Sequence, residues 1–162
     1  MQSVFDIIKE GAVTDIKQVY TSKPHLRTVP GRTYDKRGFT PFHAAALYGR
    51  VRCLEVLLAI EDSRTKERTS LLQRAGKHRN TPLHIAVATG RIECIRLLLE
   101  SEPVDRSALL VKDRNGNTPV HLAMQHPLAM RVCILSILSE STYYTISLAC
   151  RNKRRLTPTK QA

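Results

Sequence analysis

Three histidines in one recurring context are the first residues in this chain to suggest chemistry. His43, His84 and His121 each stand two residues after a proline, in Thr40-Pro-Phe-His, Thr81-Pro-Leu-His and Thr118-Pro-Val-His. Imidazole titrates near neutral pH and is a frequent metal ligand, so a regular set of histidines raises a metal site or a proton relay. Four cysteines form a second set. Cys53 and Cys94 lie 12 residues after the motif proline and Cys133 lies 14 after, with Cys150 further on. Zinc or redox chemistry calls for thiols with close partners, as in C-x-x-C, and the chain has no such pair. The competing reading makes Cys53, Cys94 and Cys133 small buried hydrophobes in one inward column. A third group is cationic: Arg151, Lys153, Arg154 and Arg155. It reads as a phosphate-binding or nuclear-import patch, or as a solvated end. Carboxylates are scattered and suggest no acid–base pair. G-x-S-x-G, Walker, H-E-x-x-H and Gly-rich dinucleotide motifs are absent. No catalytic residue, metal ligand or cofactor is assigned.

The elements that position these residues follow from the spacing. Thr-Pro recurs at 40, 81, 118 and 157, at intervals of 41, 37 and 39 residues. Threonine is a good helix N-cap because its hydroxyl can accept from a first-turn amide. Proline suits the next position, where its missing N–H costs nothing. Each Thr-Pro therefore starts a short helix. Gly49 and Gly90 end two of these helices and permit a tight turn. A second helix follows, with apolar residues at helical spacing: Val51, Leu54 and Leu58, then Ile92, Ile95 and Leu99, then the stretch from Met130. One such pair cannot bury its apolar face alone, so the pairs must stack into a continuous core.

Thr-Pro-φ-His-x-Ala (φ apolar), with Asp35-Lys-Arg-Gly-Phe and Asp113-Arg-Asn-Gly-Asn before two of its copies, resembles the ankyrin repeat. The resemblance covers roughly residues 3–158. It implies an all-α solenoid of about four helix-turn-helix repeats with β-turn fingers and a partial fifth repeat. One domain, 1–162, then divides into a capping repeat at 3–34, repeats at 35–75, 76–112 and 113–151, and a partial basic repeat at 152–162. The capping repeat lacks both Thr-Pro and His. The resemblance also implies that the histidines are structural, bonding the turn and the neighbouring backbone.

The chain departs from the pattern in two ways. Its intervals exceed the usual length of about 33 residues. The excess falls mainly between each second helix and the next finger, with the rest where Gln125-His-Pro-Leu-Ala replaces a Gly turn. Leu72, Leu109 and Leu148, each nine residues before a motif threonine, are expected to form an apolar column under the fingers. Glu61 to Arg68 is expected to be a mobile surface loop. The second departure is at Arg79 and Arg155, which stand where Gly38 and Gly116 stand in the other copies. A left-handed backbone costs a non-glycine residue about 1 kcal/mol, so these fingers are expected to adopt a different turn.

Composition narrows the function classes. The chain has 162 residues, 42% hydrophobic and 25% charged, with 5% aromatics and no Trp. That suits packed helices. Its longest apolar runs are too short to span a bilayer. The start has no basic segment followed by an apolar one, so no secretory signal is expected. Spread cysteines fit an intracellular protein, cytoplasmic or nuclear. The net charge is +12, of which +5 lies in the last 13 residues. Such a field attracts acidic partners.

By the resemblance, partners dock on the fingers and on the concave face of the first helices. The candidate contacts are Lys36, Arg37, Phe39, Leu47 and Tyr48; Lys77, His78, Arg79 and Asn80; Arg114, Asn115 and Asn117; and the terminal Lys153, Arg154 and Arg155. Phe39 is either an exposed anchor or a residue packed on the next finger. The expected function is non-enzymatic: an adaptor, scaffold or inhibitor that binds another protein, with acidic partners favoured. One alternative is a structural subunit of a ribonucleoprotein or cytoskeletal assembly, docking on RNA or acidic tubulin-like surfaces. Another is a regulator similar to the inhibitors of NF-κB, although the basic charge argues against it.

Overall fold

The computed structural model describes residues 3–22, 34–65, 77–101, 106–139, 144–154 and 156–161. In chain order the helices are α1 (Val4–Glu10), α2 (Val13–Ser22), α3 (Pro41–Tyr48), α4 (Val51–Thr65), α5 (Pro82–Ala88), α6 (Ile92–Glu100), α7 (Pro119–Ala123), α8 (Leu128–Ser139), α9 (Tyr144–Ala149) and α10 (Pro158–Gln161). A 3-10 turn at Arg106–Leu109 precedes α7.

Each Thr-Pro starts a helix as expected. Thr40, Thr81 and Thr118 keep extended backbones as N-caps and the proline takes the first turn. The fourth Thr-Pro starts α10. Gly49 ends α3 with φ +67, and its N–H bonds back to Ala45 and Ala46 carbonyls. A side chain there would strain the backbone and press on Arg91 at 2.9 Å.

The helices form two rows. One row stacks α1 on α3, α3 on α5, α5 on α7 and α7 on α10; the other stacks α2 on α4, α4 on α6 and α6 on α8. The first row is buried on most sides, so α3 is apolar almost all round: Phe42, Ala44, Ala45 and Ala46 are buried. The second row has one wet face, and α6 buries Cys94, Ile95 and Leu98 while Glu93, Arg96 and Glu100 face water. The two rows enclose one continuous core from Ile7 and Ile8 to Leu138. Burying each large aliphatic side chain there contributes about 1.5–3 kcal/mol.

Several expectations need correction. Glu61 is not in a loop: α4 continues to Thr65 and buries Glu61. The remainder of that segment, and Leu72, lie outside the described residues. Leu109 is buried and Leu148 is half-buried against the core, so the expected column has two described members. Both belong to short helical turns, the 3-10 turn and α9. Cys53 and Cys94 are buried, but Cys133 is exposed and Ile134 occupies the inward place. The register of α8 is unchanged, since Ile134, Ile137 and Leu138 are buried as Leu54, Leu57 and Leu58 are in α4, but in its row α8 is stacked on one side only, by α6, and Cys133 is left uncovered. Arg79 does not force a different turn: it takes φ +56, the left-handed conformation of Gly38 and Gly116, and bears the strain.

Candidate partner-binding edge

The fingers are built by side chains that imitate a turn. Asp35 Oδ1 accepts the Arg37 and Phe39 amides, each at 2.8 Å. Asp113 Oδ1 accepts those of Asn115 and Asn117 at 2.7 and 2.8 Å. Asn152 Oδ1 accepts those of Arg154 and Leu156 at 2.9 and 3.1 Å. In each finger the same residue donates its own N–H to the carbonyl four residues on. Short Asx side chains that reach the backbone favour this geometry. Partial burial pushes the Asp35 carboxyl up, but the two amides and the Arg37 guanidinium outweigh it and hold it below the usual carboxylate range.

The loops push the residues between their ends outward. Lys36, Lys77, Arg114 and Lys153 occupy the same tip position in four successive fingers, and all are exposed. Arg37, His78, Asn115 and Arg154 follow them, again exposed. Adjacent fingers are tied together: the Arg114 amide donates to the His78 carbonyl at 2.8 Å and the Lys153 amide to that of Asn115 at 2.9 Å. The finger edge therefore presents at least one cation per repeat in a fixed register.

Two clefts open beside this edge. The first, about 560 Å³, brings together Lys36, Arg37 and Tyr48 with Phe5, Lys9 and Tyr34. The Tyr48 hydroxyl and the Asp35 carboxylate, 3.2 Å away, hold Arg37 protonated. The second, about 280 Å³, brings together Asn115, Asn117, Lys153 and Arg154 with Gln125, Asn152 and Leu156. Lys77, His78, Arg79 and Asn80 lie on the finger between the repeats that line these clefts. Phe39 is engaged within its own repeat, stacked on His43 at 5.7 Å with the Arg37 guanidinium 5.2 Å from its ring centroid. Leu47 packs against the core. Asn117 is buried, and its amide joins Asp113 to Asn152. Arg155 lies outside the described residues.

Sequence reasoning missed Phe5, Lys9, Tyr34, Gln125, Asn152 and Leu156 as cleft residues. Asn152 was legible: it stands five residues before Thr157, as Asp35 and Asp113 stand before their threonines. The others required knowledge of which helices become neighbours. Not every cation is available to a partner. Arg50 donates twice to the Lys9 carbonyl at the end of α1, at 2.7 and 3.2 Å, where the helix dipole favours positive charge.

The three motif histidines form relays between repeats. Each Nδ1 accepts its own threonine's amide at 3.2–3.3 Å and meets that threonine's hydroxyl at 2.7–2.8 Å. That leaves Nε2–H to donate to the next finger: His43 to the Asn80 carbonyl, His84 to Asn117 and His121 to Leu156, at 3.0–3.1 Å. The neutral Nε2–H tautomer satisfies every contact, and a proton on Nδ1 would displace the threonine amide. Burial pushes the His121 pKa down, against the opposing effect of the Leu156 carbonyl. Burial also raises Cys94 to about 11, which suits an inert core thiol. Among the described residues no group of three or more His, Cys, Asp or Glu is placed to hold a metal ion.

The family profile for ankyrin repeats in three copies matches residues 66–145, and that for a single ankyrin repeat matches residues 37–64. The chain belongs to the ankyrin-repeat family. The matched ankyrin repeats include the Thr-Pro-φ-His helices and the second helices that stack behind them, about four repeats in all. Ankyrin repeats are protein-binding modules, typically without catalysis. No curated protein matches the chain. No helix among the described residues is long and apolar enough to cross a membrane.

Proposed function

We propose that this ankyrin-repeat chain is a non-enzymatic adaptor that binds an acidic protein through its finger edge and the adjoining clefts. The observation that carries this reading is the exposed cation at the tip of four successive fingers, Lys36, Lys77, Arg114 and Lys153. Rigid repeats hold these charges in place before a partner arrives, which reduces the ordering cost of binding. The excess of +12 steers an acidic partner toward the surface and raises the association rate. The histidines and buried thiols are occupied in holding the repeats together, so binding rather than turnover is the activity. Unpaired, widely spaced cysteines support a reduced intracellular compartment, cytoplasmic or nuclear.

The test is affinity capture from native lysate with the intact chain as bait, at two salt concentrations and with or without nuclease. A defined protein retained at the higher salt and after nuclease is the expected result. Loss of all bound material on nuclease treatment would replace this reading with docking on RNA or DNA.

A further inference from the structure

We propose that the finger edge reads an extended acidic segment that carries a carboxylate at every third residue. This rests on the protein-binding reading above and makes it specific. Lys36, Lys77, Arg114 and Lys153 share one position in four fingers, so their separation is the pitch of the solenoid. The helices that follow them are packed side by side, α3 on α5, α5 on α7 and α7 on α10. Packed helix axes lie about 8–10 Å apart. The bonds from Arg114 to His78 and from Lys153 to Asn115 keep the fingers at that pitch. The His43 relay does the same for the first pair.

A polyproline-II segment rises about 3.1 Å per residue with three residues per turn. Every third side chain then lies on one face, about 9 Å from the last. This matches one cation per repeat. A β-strand alternates its faces with period two and would turn every second carboxylate of the same series away. Four cations therefore fit a segment of roughly ten residues with acidic side chains at positions one, four, seven and ten.

The edge keeps its charge for an outside group. The Asp35 and Asp113 carboxylates are turned inward onto two backbone amides each, and the equivalent residue of the last finger is the neutral Asn152. Among the described residues the ion pair within the fingers is Arg37 with Asp35. Among the described residues the four tip residues are in no ion pair; the Arg114 guanidinium donates one bond, to the Lys77 carbonyl at 3.4 Å, and stays exposed.

Two observations favour a peptide over a nucleic acid. Single-strand binding relies on open aromatic faces for successive bases. The finger aromatic, Phe39, is engaged by Arg37 and His43, and the exposed Tyr34 beside it offers one face rather than a row of faces along successive fingers. The cleft at the last fingers is lined by amides, Asn115, Asn117 and Gln125. Such groups can both donate to and accept from a peptide backbone.

The experiment uses the intact chain and labelled 12-residue peptides of one composition, four Glu and eight Pro, read by fluorescence anisotropy at two salt concentrations. The first peptide repeats Glu-Pro-Pro; the second alternates Glu and Pro before a proline tail; the third groups its four Glu in one block. A 12-nucleotide oligothymidylate is the fourth probe. Each exposed ion pair changes affinity by roughly two- to five-fold. The Glu-Pro-Pro peptide is expected to bind about ten-fold tighter than either isomer, since only it engages all four cations. Lys77→Ala and Lys153→Ala, both exposed and remote from the core, are each expected to weaken it by roughly two- to five-fold and to narrow the gap between isomers. Circular dichroism verifies that these variants keep the wild-type fold. Equal binding of the three isomers, no effect of either lysine substitution, or no peptide binding at all would overturn the register. Tighter binding of the oligothymidylate would overturn the choice of a peptide. A protein captured after nuclease treatment alongside any of these failures would leave the adaptor reading standing and remove only the register.

Discussion

Replacing His84 with alanine probes the bond that joins successive repeats. His84 is fully buried, takes the Thr81 amide on Nδ1 at 3.3 Å and donates from Nε2 to the Asn117 carbonyl at 3.1 Å. Truncation acts on these groups unequally. The Thr81 amide is left buried without its acceptor, which costs about 1–3 kcal/mol. The Asn117 carbonyl keeps a second bond from the Asp113 amide at 2.9 Å, so its loss is about 0.5–1.5 kcal/mol. The space vacated by the ring adds about 1–2 kcal/mol. The expected destabilisation of His84→Ala is therefore about 3–5 kcal/mol, a large part of the stability of an ordinary domain. Urea denaturation followed by helical circular dichroism measures it, since the chain lacks the Trp that fluorescence would use. The transition should also broaden, because weakening one interface of a stacked array uncouples the repeats on either side. A loss below about 1 kcal/mol with an unchanged slope would refute the relay as the main polar tie between repeats.

Arg79→Gly should stabilise the chain by about 0.5–1 kcal/mol, visible as a higher urea midpoint, because it relieves the left-handed backbone at φ +56. Gly116→Ala should do the reverse by about 2–3 kcal/mol and speed hydrogen exchange at the Lys153 amide: the new Cβ would sit 2.8 Å from that nitrogen, at φ +79. Stability should depend on pH through His121, whose folded pKa lies below its ordinary value of 6.5. Below 6.5 the unfolded chain takes up a proton that the folded chain refuses, so stability is fully present above 6.5 and falls as pH drops toward the folded pKa. Melting temperatures at pH 7.5 and 5.5 for wild type and His121→Gln check this, the variant showing the smaller drop. In thiol titration with an aromatic disulfide, exposed Cys133 should react well before Cys94, which is buried and raised to about 11.

The repeat was legible from local chemistry alone. Thr-Pro pins a helix start through the threonine cap and the proline φ, and Gly49 marks a helix end, so these boundaries need no long-range information. Stacking followed as well, since each helix pair exposes an apolar face it cannot cover. The finger register was equally readable: Asp35, Asp113 and Asn152 stand five residues before their threonines and place a cation next in line.

Tertiary structure decided which side chains stay free. Arg50 and Lys36 are alike as sequence, yet Arg50 is spent on the carbonyl end of α1 and Lys36 faces water. Asn117 and Asn115 differ in the same way, one buried between fingers and the other at a tip. Cys133 is exposed although α8 keeps the register of α4, because α8 is stacked in its row by α6 alone, and motif spacing does not say which helices have a neighbour on both sides. Arg79 kept the glycine conformation because its neighbours impose the finger, a cooperative effect larger than the local cost of about 1 kcal/mol. Local rules set which elements form. Availability of a group depends on the neighbour that stacking brings to it, from a repeat 33–41 residues away in the chain.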